Sequence, residues 1–469
     1  MPIVVAEKMG IPGAVVVAEG FLDCAKNTGL FQGVPALQVA VYPGAFLLHS
    51  DTQLAKNITT TVLPRVVELL TTPIKEAEAA KKSDPRAIVF TGTIDEVNRS
   101  FSDKEWSDGM AIIPPTVERV EEFLKYTDCA PYEEIAVLPP GNLRATPWNI
   151  AVNAVMAGCR PEYMPILIAL VKAIGDPEFS LANLGSTSGV NAFTWLNGPL
   201  VRQLDIGYGQ GLTFYPPNRV IGATLGLVLR NLAPFRVREN YMGSFGYMQP
   251  SVFAEDEQGS PWEPYHVEKG FGKNVSTVTA FSSNVWGGQG FPYGTDANVI
   301  MQCMAYELTL LGPICFASPG SLRIVLMTPP VAEVLAAGGY TKQSFKNDLA
   351  NTGRHVALLN AYVSSINAVT GTPPTFEKAL ASALARPQAE KGKIPPWYKD
   401  FPGSEEIVTI PDINAKNIEF IVCGDPGRNK TQAFAGILNC RISKEIQLPA
   451  NWDALMAKLG YPPLRSFYM

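Results

Sequence analysis

Histidine is nearly absent from this sequence: in 469 residues only His49, His266 and His355 occur, far apart along the chain. A nucleophilic triad, whose members meet only in space, has just these three imidazoles to draw on. Cysteine is little better represented. Cys24, Cys129, Cys159, Cys303, Cys315, Cys423 and Cys440 are odd in number and form no C-x-x-C pair, so neither a zinc site nor a disulfide framework is indicated. No dense Lys/Arg block accompanies an aromatic stripe and the formal net charge is −5, which argues against nucleic acid or another polyanion as partner. Long apolar runs are missing too: residues 2–17 are interrupted by Glu7, Lys8, Gly10 and Pro12, too soon for a membrane span or a secretory signal. The expectation is a soluble, cytoplasmic protein with no membrane contact.

What is present is the composition of an ordinary globular protein, 46% apolar and 17% charged. The length exceeds what one hydrophobic core organises, so two or three domains are expected. The chain opens inside a helix that ends at Gly10, followed by a short apolar strand at 14–18 between Gly13 and Gly20. A second strand at 36–41 and a helical pattern through Ile58, Val62, Val66 and Leu69 continue an alternation that predicts a parallel α/β sheet. The fold class expected is α/β: a Rossmann-like parallel-sheet N-terminal domain over 1–74 lacking its first strand, a charged linker at 75–87, and a larger α/β (α+β) domain over 88–469. That larger part divides into 88–310 and 311–469.

Within it, Ile88-Val-Phe90 reads as a strand, and Thr116 N-caps a helix whose Val117, Val120 and Leu124 share one face. A strand at 135–138 runs into the turn Pro139-Pro-Gly141. The stretch 147–174 is apolar on nearly all sides, a buried helix broken near Gly158 and Pro161. Residues 185–300 read as loop-rich functional surface with one helix at 221–229. Strands at 324–327 and 418–422, helices at 331–337 and 345–363, and a Pro-rich excursion at 387–402 complete the pattern, with no internal repeat.

Three constellations carry candidate chemistry. Ser260-Pro-Trp-Glu-Pro-Tyr-His-Val-Glu268 crowds Glu263, His266 and Glu268 into nine residues, a composition suited to proton transfer; the alternative is a loop histidine bonded to backbone. Cys159 sits beside Arg160, a cation that favours thiolate, although a buried cysteine is more often a packing residue. Cys423-Gly-Asp-Pro-Gly-Arg-Asn-Lys-Thr431 follows a strand and offers Lys430 and Thr431 to an anion, but it lacks Walker A spacing and reads equally as a turn. Asn197-Gly-Pro199 and Pro216-Pro-Asn218-Arg219 are turns by composition; Arg219, just before a helix, is a candidate bidentate clamp for a carboxylate, with a surface salt bridge as the alternative. No cofactor is named by these residues, and no metal ligand set.

Trp106-Ser-Asp-Gly109, Ile113-Pro-Pro-Thr116, Asn153-Ala-Val-Met-Ala-Gly-Cys-Arg-Pro-Glu-Tyr163, Asn197-Gly-Pro199, Asn218-Arg219 and Ser260-Pro-Trp-Glu263 together resemble the two-domain UGSC-type (seleno)protein family. The resemblance implies a first domain similar to the thiol or selenol domain of the glycine reductase selenoprotein. Glu7-Lys-Met-Gly-Ile-Pro12 matches the helix end that follows that family's reactive-sulfur loop, and the loop itself is not in this chain. Pro43-Gly44-Ala45 and Pro329-Pro-Val-Ala332 stand where two family histidines are expected.

The leading functional expectation is the large subunit of a heteromeric enzyme for thiol-assisted cleavage or formation of a carbon–heteroatom bond, C–S foremost, on a small organic substrate. A second protein subunit would supply the missing strand and cysteine loop. Glu263, His266, Cys159 and Glu268 are the catalytic candidates; Arg219, Asn218, Asn197, Arg160, Lys430 and Thr431 are the substrate-binding ones. The alternatives are a self-contained lyase or hydratase with His266 and Glu263 as acid and base, and a non-catalytic companion of a paralogous enzyme.

Overall fold

The computed structural model describes residues 2–72, 84–237, 239–244, 246, 250–309, 322–352, 354–355, 407–408, 414–436 and 440–468. The expected linker core at 75–83, residues 356–363 of the expected helix and the Pro-rich excursion lie outside the described residues; the helix expected over 345–363 ends at Asn351, and Arg354–His355 are a short strand. Among those described, no helix is long and apolar enough to cross a membrane.

The first segment runs α1 (Pro2–Lys8), β1 (Val15–Ala18), α2 (Leu22–Phe31), β2 (Val39–Tyr42), α3 (Asp51–Asn57) and α4 (Leu63–Thr71). β1 and β2 pair in parallel with Val15 opposite Val39. Ala25, Leu37 and Val39 form the small core between them and α2.

The strand expected at Ile88 is irregular coil whose Ile88, Val89 and Phe90 are exposed: among the described residues no strand pairs with it. Two helices follow, α5 (Ile94–Asp103) and α6 (Val117–Leu124), each N-capped by a threonine, Thr93 and Thr116. The hairpin β3 (Ala136–Leu138) and β4 (Leu143–Ala145) leads into α7 (Pro147–Met156) and α8 (Met164–Ile174), the broken apolar helix.

The remainder is built on two four-stranded sheets. β5 (Asn191–Asn197), α9 (Leu200–Gln203), α10 (Pro216–Asn231), β6 (Ser251–Ala254), α11 (Tyr265–Glu268), β7 (Thr277–Ser283) and β8 (Val285–Gly290) come first. Then follow α12 (Ala297–Thr309), β9 (Leu322–Met327), α13 (Pro329–Ala337), α14 (Lys342–Asn351), β10 (Arg354–His355), β11 (Ile407–Val408), β12 (Ile418–Val422), β13 (Thr431–Gly436) and β14 (Arg441–Glu445). One sheet has the order β14-β7-β5-β6 and the other β12-β9-β13-β8.

Alternation along the strands explains how these sheets stack. Phe193, Trp195, Phe253 and Phe281 of the first sheet face Ile324, Leu326, Ile421 and Phe434 of the second in one shared core. Phe193 stacks on Phe434 at a centroid separation of 4.3 Å. The intervening residues point outward: Ala192, Leu196, Val278 and Ala280 toward α7, α8 and α10, and Val325, Met327, Phe420 and Ala433 toward α12, α13 and α14. The result is a four-layer sandwich of helices, sheet, sheet and helices, a mixed α/β fold with parallel and antiparallel pairs.

Two sequence expectations change here. Residues 185–300, expected as loop surface, contain three strands of the buried core, because fully buried strands need only short apolar runs and here lie among Gly, Asn and Ser. A repeat also exists, in topology rather than in residues. β5 pairs in parallel with β6 and antiparallel with β7, as β9 does with β12 and β13. The next strand of each unit then leaves for the opposite sheet, β8 pairing with β13 and β14 with β7. Each half therefore completes the other's sheet.

Candidate functional site

β5 ends at Asn197 and β6 at Ala254, so two parallel strands deliver Asn197 and Glu255-Asp-Glu257 to one carboxyl-terminal edge. That edge is where open α/β sheets hold their ligands. Asp256 N–H donates to the Val422 carbonyl at 2.8 Å, tying the ends of β6 and β12 together, and Gly424 N–H donates to the Tyr208 carbonyl at 2.6 Å, tying the end of β12 to the loop after α9.

A single amide joins the two glutamates. Asn197 Nδ2 donates to Glu255 Oε2 at 2.6 Å and to Glu257 Oε1 at 2.9 Å. The backbone adds Gly198 N–H to Glu257 at 2.7 Å and Tyr265 N–H to Glu255 at 2.8 Å. Gly198 has φ +92°, and a Cβ there would stand 2.5 Å from the Val275 carbonyl oxygen, so only glycine brings this N–H to the carboxylate.

The environments push the two carboxyls apart. Burial raises Glu255 above the ordinary range, and Lys342 with the hydrogen bonds from Tyr265 and Asn197 offsets that only in part. Burial also opposes ionisation of Glu257, but the His266, Asn197 and Gly198 contacts outweigh it and hold that carboxyl below its usual value. Glu257 is also the more open of the two, with 11% of its side chain exposed against none for Glu255.

His266, on α11, is fully buried. Its Nδ1 lies 3.3 Å from Glu257 Oε1 and its Nε2 3.3 Å from the Lys273 carbonyl, so both ring nitrogens face acceptors. Lys342, on the first turn of α14, enters from the second half. Its Nζ donates to the Glu263 carbonyl at 2.7 Å, pairs with Glu268 Oε1 at 2.7 Å and stands 3.6 Å from Glu255 Oε1. Deeper still, Glu419 receives Lys269 and Lys346 at 2.6 Å each and Arg441 at 3.0 Å. The cleft at the surface of this network is lined by Gly198, Arg202, Tyr208, Glu257, Lys273 and Phe467. Its volume of about 20 Å³ admits one water-sized group beside the carboxylates.

The other residues singled out in the sequence are placed elsewhere or do other work. Glu263 is half exposed, with Oε1 3.5 Å from Lys273, so the acid that meets His266 is Glu257. Cys159 is buried, and burial pushes its thiol up to about 12; the neighbouring Arg160 does not reverse this, because it is engaged by Glu162 and Tyr461. Asn218 serves the fold: it accepts from Gly207 N–H at 2.8 Å and donates to the Gly207 and Leu212 carbonyls at 2.7 and 2.8 Å, shaping the loop that carries Tyr208. Arg219 lies inside α10, exposed, its guanidinium 5.1 Å from the Phe214 ring centre. Lys430 caps the Phe291 ring at 3.2 Å, and Thr431 donates to Glu307 at 2.7 Å within β13.

Comparison with protein-family models, curated proteins and solved structures finds no match to this chain.

Sequence reasoning missed Glu255, Glu257, Lys273 and Lys342. A signal for the first two was present: Glu255-Asp-Glu257 directly follows the apolar run Val252-Phe-Ala254, the end of a buried strand. For Lys342 there was none, since its acidic partners come from distant segments.

Proposed function

We propose that this chain is an acid–base lyase or hydratase that breaks or forms a carbon–heteroatom bond in a small carboxylate substrate. The observation that carries this reading is the Asn197-bridged pair whose two carboxyls are driven in opposite directions, the arrangement that assigns acid and base to adjacent groups. Glu257 takes the proton from the carbon next to the substrate carboxylate. The C–X bond beyond it breaks as the C=C bond forms, and Glu255 returns a proton to the departing heteroatom. Lys273 and Arg202 line the cleft as the cations for the substrate carboxylate, a role that requires the cleft to open beyond the single water-sized group it admits here. No thiolate is asked of Cys159 or Cys423, both of which burial holds as thiols.

The test is proton NMR in D₂O with small carboxylates carrying oxygen, nitrogen or sulfur β to the acid group. Native protein is expected to exchange the α-proton or release the heteroatom from at least one of them. Glu257→Gln is expected to slow this by about 10²–10⁴-fold. Equal rates in the variant would remove Glu257 from the reaction, and no turnover of any kind would favour a companion role.

A second reading has support of its own. In it, the first segment is a Rossmann-like thiol-type domain of the UGSC kind, and another polypeptide adds a strand and a cysteine loop beside β1. Among the described residues β1 pairs only with β2, and Val16 at its centre is 44% exposed. Hydrogen exchange at Val16 and Ala18 in the natively purified complex tests this: protection supports it, and exchange at the unpaired rate contradicts it.

A further inference from the structure

A roomier cleft is built on other elements than those that hold Glu257 and takes no part in the chemistry above. It has a volume of about 540 Å³, within the range of small-molecule sites, and lies among the coil at 85–90, α5, α6, α7 and the end of α10. Its walls include Phe101, Trp106, Trp148 and Met156, so most of the surface it offers is aromatic or apolar.

Two features give this cleft a fixed polar side. Asn231 donates to the Trp106 carbonyl at 2.9 Å and to Asn153 Oδ1 at 2.8 Å, which pins Trp106 to the end of α10. Arg236 is only 18% exposed and uses one nitrogen, Nε, at 3.3 Å from Glu105. Among the described residues no other carboxylate pairs with it, which leaves the terminal nitrogens of a largely buried guanidinium for a ligand. Arg86, stacked 4.7 Å over Trp148 and already paired with Glu121, leaves Arg236 as the cation of the lining that is open to a ligand, and the lining's only acid, Glu118, is exposed.

We infer that this cleft binds an aromatic monocarboxylate, its ring against the tryptophan walls and its carboxylate on Arg236. A planar guanidinium that is already desolvated and oriented suits a bidentate carboxylate better than any neutral group. The apolar body supplies affinity and the guanidinium supplies selection for the acid.

Isothermal titration calorimetry of the full chain with 2-naphthoate and with 2-naphthamide tests this. The acid is expected to bind roughly tenfold more tightly than the amide, the worth of one charge-assisted hydrogen-bond pair. Arg236→Met, which keeps the aliphatic stem, is expected to abolish that ratio while leaving amide binding unchanged. Arg236→Lys is expected to retain part of it. Should Arg236→Met fail to fold by circular dichroism, the wild-type ratio and the lysine variant decide. Equal affinities for acid and amide in wild type, or no binding of either at about 1 mM, would overturn the inference.

Discussion

Nδ1 of His266, an imidazole wholly removed from solvent, lies 3.3 Å from Oε1 of Glu257. This contact is one of those that hold the Glu257 carboxyl down against its own burial. His266→Asn is therefore expected to raise the Glu257 titration midpoint and to move the acidic limb of any pH–rate profile upward. A merely structural histidine would change stability and leave the limb in place, and that result would separate His266 from the acid–base role.

The Glu419 cluster predicts a stability effect of known sign. Burial raises this carboxyl, but Lys346, Lys269 and Arg441 outweigh it and the folded-state value lies below the ordinary 4.5. Its stabilisation is therefore complete above pH 4.5 and is lost as pH falls through the folded-state value. Glu419→Gln, which leaves three cations facing one another, is expected to destabilise by about 3–5 kcal/mol at neutral pH. Urea unfolding at pH 7 and at pH 3 measures both effects, and a loss equal at the two pH values would contradict the ion-pair account.

Cys159 and Cys423 are expected to resist iodoacetamide at pH 8 in the folded protein and to react at the ordinary thiol rate once unfolded, since burial raises both thiols. Mass spectrometry of the labelled peptides reads this out. Rapid labelling of native Cys159 would restore it as a nucleophile.

What the sequence revealed divides along local and non-local lines. The broken apolar helix at Pro147, Gly158 and Pro161, the Thr116 cap and the strand Ile418–Val422 depend on neighbours a few residues away, and each is where periodicity and capping put it. The strand at Ile88 failed because three apolar residues without a pairing neighbour do not make a sheet. The exchange of β8 and β14 between sheets left no local trace, since pairing partners such as Ile442 and Ala280 are far apart in the chain. At the site, His266 stood out by residue type, while Asn197 read only as part of a turn and of the motifs that carry the family resemblance. Glu255 and Glu257 did not stand out, because their chemistry comes from burial and a shared amide rather than from spacing.

Asn197→Leu removes the donor that both carboxylates share and is expected to destabilise the folded state by about 1–3 kcal/mol for each hydrogen bond left unmade. The loss should grow as pH rises above the ordinary carboxyl value, because an ionised pair faces itself without the amide between. Thermal unfolding as a function of pH checks it, and a variant as stable as wild type at every pH would mean the bridge is dispensable.

The central claim is that one amide holds two glutamates whose proton affinities have been driven apart. Carbon-13 NMR titration of protein labelled at the glutamate carboxyls, with Glu255→Gln and Glu257→Gln for assignment, measures it directly. The account predicts Glu255 titrating above the ordinary 4.5 and Glu257 below it. Two carboxyls titrating together at the ordinary value would contradict it.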